Sequence, residues 1–147
     1  MSAPAGARVR PIFLVLAAAW AWVIWHLTTG QVDSSPSPFS VRLVWNGAHA
    51  FVFGVLAFLL LEGTPRRWWW VALLVCSAYG AFDEWYQGFV PGREPDVVDW
   101  LSDTLGATLG WTAARLVQAV PGQRVPLFWR FVAVGVLCFL SALWTTL

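Results

Sequence analysis

Five long apolar stretches, separated by short polar breaks, organise this chain. They run from about Pro11 to Thr28, Val41 to Leu61, Trp68 to Val90, Val97 to Val120 and Leu127 to Leu147. A helix that spans a bilayer needs about 20 mostly apolar residues, within a range of about 17–25. All five stretches qualify by length, the first and fourth least securely. The breaks carry turn formers. Ser34, Ser35, Pro36, Ser37 and Pro38 crowd the first, and Gly63-Thr64-Pro65-Arg66-Arg67 is a tight basic turn. Pro91-Gly92-Arg93-Glu94-Pro95 offers Pro and Gly for the two central positions of a turn, and Pro121-Gly122-Gln123-Arg124 closes the fourth helix. The pattern predicts an all-α, polytopic membrane bundle of five transmembrane helices, with four as the alternative count. It predicts one domain over residues 1–147 and shows no internal repeat.

Composition supports a membrane setting. The chain is 59% hydrophobic and 12% charged, where a soluble domain carries about 25% charged residues. A net charge of +1, with no basic patch interleaved with aromatics, excludes a nucleic-acid partner. Arg8, Arg10 and Ala17-Ala18-Ala19 imitate a signal peptide, but the apolar run continues through Trp20, Trp22, Val23 and Ile24, so the first helix is expected to be retained. Cys76 and Cys138 each sit in an apolar run, as inert packing thiols do. They suggest neither a disulfide framework nor a zinc site, and no cofactor is expected.

Charge also sets orientation. With the N-terminus inside, Arg8, Arg10, Arg66, Arg67, Arg115, Arg124 and Arg130 lie on the inner face, against Arg42 and Arg93 outside. Trp68, Trp69 and Trp70 then form an inner aromatic belt, and Trp45, Trp85 and Trp100 fall towards the outer one. The expected location is a cell membrane, with the Pro91–Pro95 turn on its outer face.

Six of the eight acidic residues lie between Asp83 and Asp103. Charge inside a bilayer costs about 2.5–3.5 kcal/mol per residue at mid-depth, so these acids need a reason. Asp83, Glu84 and Gln87 end the third span, Asp99 and Asp103 begin the fourth, and Asn46 and His49 begin the second. At 1.5 Å rise per residue, all fall within roughly 15 Å of the outer boundary. Asp83 and Gln87 share a helix face, while Glu84, about 100° away, is free to meet another partner. Asp99, Asp103, Gly106 and Gly110 form one stripe, and Gly106 to Gly110 is a GxxxG spacing that lets backbones approach closely. Asn46, His49 and Phe53 share a face of the second helix. The second, third and fourth helices should pack with these stripes inward.

Several of these residues also have ordinary structural roles. Asp96 and Asp99 suit a helix N-terminus, Glu84 could pair with Arg93, and Gly92 supplies backbone freedom. His49 alone would be a hydrogen-bonded core histidine; beside several carboxylates it becomes a candidate proton carrier or ligand. Arg93 could pin the turn to Asp83 or Asp99, or meet an anionic headgroup. His26, Asp33 and Glu62 look like interfacial or loop residues.

The stretch resembles the VanZ-like family, small bacterial membrane proteins named after a glycopeptide (teicoplanin) resistance determinant. The family pattern is matched by Asp83, Glu84, Gln87, Phe89, Pro91, Gly92, Arg93, Asp99, Gly106 and Gly110, with His49, Phe51 and Phe53 upstream and Asp103 at its one differing position. It covers roughly residues 45–110. The first span (11–28) and the last (127–147) lie outside it. Asp103 departs from the pattern, which has Asn there. The resemblance implies a role at the cell envelope and transfers no catalytic residue.

Three functions follow as expectations. The first is a non-catalytic membrane protein whose outward polar cleft binds a cell-wall or lipid-linked component, or a lipid-tailed glycopeptide, giving an antibiotic-resistance role. The cleft residues are His49, Asp83, Glu84, Gln87, Arg93, Asp99 and Asp103; Pro91 and Gly92 shape the turn, and Gly106 and Gly110 the packing. The second is a lipid-headgroup enzyme, using His49 with Asp83 or Glu84 as an acid–base pair or holding a divalent metal. The third is proton- or ion-coupled transport, which a bundle this small would perform as a homo-oligomer.

Overall fold

The computed structural model describes residues 9–30 and 38–146, all of whose regular elements are helical. The expectations for Arg8, Asp33 and the Ser34–Ser37 break lie outside the described residues. Helix α1 spans Pro11–Thr29, α2 Phe39–Gly63, α3 Trp69–Gln87, α4 Val97–Val117 and α5 Pro121–Thr146; a short 3-10 turn, Arg66–Trp68, precedes α3. Three of them, α1, α2 and α5, are long and apolar enough to cross a membrane. Polar residues interrupt the other two: Asp83, Glu84 and Gln87 in α3, and Asp99, Asp103 and Arg115 in α4.

Three boundaries differ from the sequence expectation by three residues or more, one of them the end of α4, at Val117 rather than Val120. Helix α3 stops at Gln87 rather than running to Val90, because Phe89 and Val90 already bond back to Tyr86 and Gln87 in a turn. Helix α5 begins at Pro121, six residues before Leu127, so Pro121–Arg124 opens a helix instead of closing one. Proline suits a first helical position, where its missing N–H would be unpaired anyway. Pro126 lies inside α5 and forfeits one backbone bond near its start.

The interior is built from small residues. Ala17, Ala50, Ala57, Ala72, Ala107, Ala114 and Ala142 are buried, while Trp22, Val44, Phe51, Leu74, Phe139 and Trp144 lie on the surface. Lipid gives apolar side chains no reason to hide, so helices in a bilayer gain instead from close backbone packing. The seam between α2 and α4 shows this most clearly. A Cβ placed on Gly106 would run into the Ala50 carbonyl oxygen, and one on Gly110 into that of Gly54. Ala50 meets Gly106 and Gly54 meets Gly110, so the two helices run parallel, with small residues spaced by four on both.

Side-chain bonds to backbone tie the remaining helices. Trp20 donates its Nε1–H to the Val52 carbonyl (2.8 Å), and the Tyr79 hydroxyl donates to the Ala21 carbonyl (2.8 Å). Trp100, expected at the aromatic belt, instead donates to the Ser77 carbonyl (3.0 Å) and clamps α4 to α3. Ser102 and Ser141 join α4 to α5 through their hydroxyls.

The bundle therefore has two unlike ends. Arg10, Arg66, Arg67, Arg115, Arg124 and Arg130 gather at one, the basic end. Asp83, Glu84, Asp96, Asp99 and Asp103 gather at the other, the acidic end.

Candidate functional site

The acidic end is assembled by the last turn of α3 and the first turns of α4. Asp96 caps α4, its Oδ1 accepting from the Val98 N–H (2.8 Å). The Asp96 backbone N–H in turn donates to Glu84 Oε2 (2.8 Å), so the Glu84 carboxylate ties α3 to the start of α4. Between them, Val90 to Arg93 closes with an Arg93 N–H bond to the Val90 carbonyl (3.1 Å), and Gly92 adopts φ 83°. Proline followed by a positive-φ glycine is the pattern of a type II turn. It returns the chain sharply and aims Arg93 back at the bundle.

Gln87 is the hub. Its Nε2 donates to Asp83 Oδ2 (2.9 Å) and to Glu84 Oε1 (3.2 Å). Its Oε1 accepts from Arg93 Nη1 (3.4 Å). Glu84 therefore has both a partner of its own, the Asp96 N–H, and a share in the Gln87 amide that also holds Asp83. Arg93 forms no ion pair with Glu84, Asp83 or Asp99. Instead its Nη2 donates to the Leu27 carbonyl (3.1 Å) and its Nε to the Gly30 carbonyl (3.4 Å). A guanidinium there covers free carbonyls at the negative end of the α1 dipole.

From α2, His49 Nδ1 meets Asp103 Oδ1 at 3.1 Å. The seam explains this contact: Ala50 rides directly on Gly106, which lifts the preceding His49 to the level of Asp103. Asp103, Asp83, Glu84 and Gln87 are all buried, Asp103 and Asp83 completely. Asp83 Oδ1, Asp99 Oδ1 and Asp103 Oδ2 are buried without a hydrogen-bond partner. One donor atom each from His49, Glu84 and Asp103 lie within 4.8 Å of one another.

Thus the structure brings His49, Asp83, Glu84, Gln87, Arg93 and Asp103 together, with Asp99 one turn before Asp103. Asn46 goes elsewhere: its Nδ2 donates to Thr146 Oγ1 at the end of α5 (3.0 Å). Gly80 has no role in the sequence expectation, yet a Cβ there would stand 2.8 Å from Asp103 Oδ2. Ala50 and Gly54 were likewise unmarked, although their spacing of four repeats the rule applied to Gly106 and Gly110.

The cluster is reached from two sides. A cavity of about 70 Å³ between α1 and α2 has His49 and Arg93 in its lining, together with Thr28, Trp45 and Phe53. A second, shallower opening between α3 and α4 is lined by Glu84, Pro95, Asp96 and Trp100.

A family model described as VanZ/LLP1 matches residues 9–118. The chain belongs to the VanZ/LLP1 family. The match takes in α1 to α4, and so every residue of the acidic cluster, and ends before α5. It reaches further towards the N-terminus than the motif-bearing stretch of residues 45–110. VanZ/LLP1 membership and the apolar helices together make this a membrane protein. Neither a curated protein nor a solved structure matches the chain.

Proposed function

We propose that this VanZ-like protein is a multi-pass protein of the bacterial cytoplasmic membrane that binds an envelope component at its acidic end, without converting it chemically. Its N-terminus is inside, all five helices cross, and the acidic end faces out. The arginine distribution between the two ends supports that orientation. The ligand class is an anionic group on an apolar carrier, such as a lipid-linked cell-wall intermediate or a lipid-tailed glycopeptide. One observation carries this reading. Arg93 and His49 line one cavity whose other walls include Ile24, Leu27, Val52 and Phe53. A guanidinium beside an apolar slot suits a headgroup at the bilayer edge with its chain alongside α1. At about 70 Å³ the cavity suits a small anionic group of phosphate or carboxylate size rather than a whole headgroup and chain.

The test is retention of a lipid-linked cell-wall precursor, or of a teicoplanin-type glycopeptide, by protein in lipid nanodiscs, read by native mass spectrometry. Wild type should retain one of them. Arg93→Ala should lose retention by roughly tenfold or more and Arg93→Lys less, because a bidentate fork becomes a point charge. Equal retention by wild type and Arg93→Ala would rule the reading out.

A second reading, a lipid-headgroup enzyme, is favoured by the His49–Asp103 contact at 3.1 Å, which is within reach of an acid–base pair. Release of a labelled headgroup by wild type, abolished in His49→Gln, would favour it over binding alone.

A further inference from the structure

We infer that His49, Glu84 and Asp103 form a binding site for one divalent transition-metal cation of the Mn²⁺ or Zn²⁺ class. The three donors come from three different helices, α2, α3 and α4, and lie within 4.8 Å of one another. Donors about 2.0–2.2 Å from one cation stand roughly 3.0–3.5 Å apart when adjacent. His49 Nδ1 and Asp103 Oδ1 already have that separation, at 3.1 Å. Glu84 offers its oxygen within 4.8 Å of both.

A second observation points to a ligand independently. Asp103 is completely buried, yet its Oδ2 has no partner. That oxygen lies over Gly80, where a Cβ would stand 2.8 Å away. Gly80 and Glu84 are four apart and share a face of α3. Asp103 thus directs Oδ1 to His49 and Oδ2 to the face that carries Glu84. A buried carboxylate oxygen left unpaired is costly, and binding a cation is one of the few ways to satisfy it.

Charge balance agrees. Asp83, Glu84, Asp99 and Asp103 are drawn together, while Arg93 reaches the cluster only through the Gln87 amide. A divalent ion supplies the missing positive charge at the centre. The outer support that metal ligands need is also present. Gln87 Nε2 holds Glu84 Oε1 and the Asp96 N–H holds Oε2. One imidazole with two carboxylates suits Mn²⁺ or Zn²⁺ better than Mg²⁺ or Ca²⁺, which prefer all-oxygen sets. Entry is provided by the cavity at His49 and the opening at Glu84.

The experiment uses the full chain in detergent, free of any affinity tag, stripped with chelator and equilibrated with Mn²⁺ or Zn²⁺ alone. Bound metal is read by elemental analysis after gel filtration, and Mn²⁺ also by electron paramagnetic resonance. Wild type should hold about one equivalent. His49→Gln, Glu84→Gln and Asp103→Asn should each weaken binding by roughly tenfold or more, with helical circular dichroism retained. Glu62→Gln, at the opposite end, should bind as wild type does. Where a variant fails to fold, the wild type decides: its thermal midpoint should rise with added metal, since a ligand that binds only the folded state stabilises it. Less than about a tenth of an equivalent on wild type, no shift in its midpoint, or undiminished binding by folded His49→Gln and Asp103→Asn overturns the proposal. Because no envelope ligand is added, the result is independent of the ligand-retention test.

Discussion

The two ends of the bundle solve the problem of polar residues in opposite ways. At the basic end Glu62 is saturated: it accepts from Arg10 Nη1 at 2.6 Å and from the Gln118 amide, while the Arg10 N–H bonds the Gly63 carbonyl at 3.0 Å. One acid with a matched cation and amide binds together the start of α1 and the ends of α2 and α4. It is therefore a structural brace, not the ordinary interfacial residue its position in the sequence suggests. At the acidic end four carboxyl groups share one amide hub and one histidine, and three of their oxygens have no partner. A brace is complete by itself; the acidic cluster is not. An unfinished set of donors inside a folded protein is where an external group is expected to bind.

The largest effect should come from the seam that supports the cluster. Gly106→Val forces side-chain atoms into the Ala50 backbone, which cannot yield as a side chain tip can. A loss of roughly 3 kcal/mol or more is expected, seen as collapse of the thermal transition in detergent. A folded Gly106→Val protein would mean that the acidic end is not held by the seam. Next comes Gln87→Leu, which leaves Asp83 Oδ2, Glu84 Oε1 and Arg93 short of a partner at once. Taking the two buried carboxylate oxygens near the low end of the roughly 1–3 kcal/mol per buried unsatisfied group, a loss of about 2–3 kcal/mol is expected by the same measurement. A change under about 0.5 kcal/mol would show that Gln87 is not the hub.

The smallest effects set the ends most directly against each other. Asp83→Asn removes one negative charge from a crowded acidic cluster and should stabilise by about 0.5–1 kcal/mol, as like charges relax. Glu62→Gln breaks a paired acid and should destabilise by about 0.5–1 kcal/mol. That figure is modest because the Arg10 side chain is 53% exposed. Opposite signs in parallel melting curves would sustain the comparison, and equal signs would end it.

Much of this was legible from spacing. The four helices α1 to α4 begin and end within about three residues of their apolar stretches, because length and hydropathy constrain a spanning helix strongly. Depth alone grouped His49 with Asp83 and Asp103, since rise per residue fixes how far each lies from a turn. What spacing could not supply was direction beyond the backbone. Glu84 leaves its helix at about 100° from Asp83, but its reach and the fork of Gln87 bring both carboxylates to one point. Spacing leaves Arg93 a choice between an acid of the cluster and an anionic headgroup, whereas the type II turn aims it at the carbonyls that end α1. Asn46 found Thr146 on α5, a partner one hundred residues away that no local pattern indicates. The start of α5 escapes the apolar pattern because proline, a breaker inside a helix, is suited to its first position. Ala50 and Gly54 could have been found, because the spacing rule that marked Gly106 and Gly110 applies to them unchanged.

The parallel seam has one more consequence. On α2 the small residues at this spacing are Ala50 and Gly54, with Asn46 before them and Phe58 after. Sliding α2 by a whole turn, about 5.4 Å, would set Phe58 against Gly110 in one direction or Asn46 against Gly106 in the other. Either slip puts a side chain where those glycines now meet backbone. The seam thus works as a key cut to a single depth, and that depth hands His49 to Asp103.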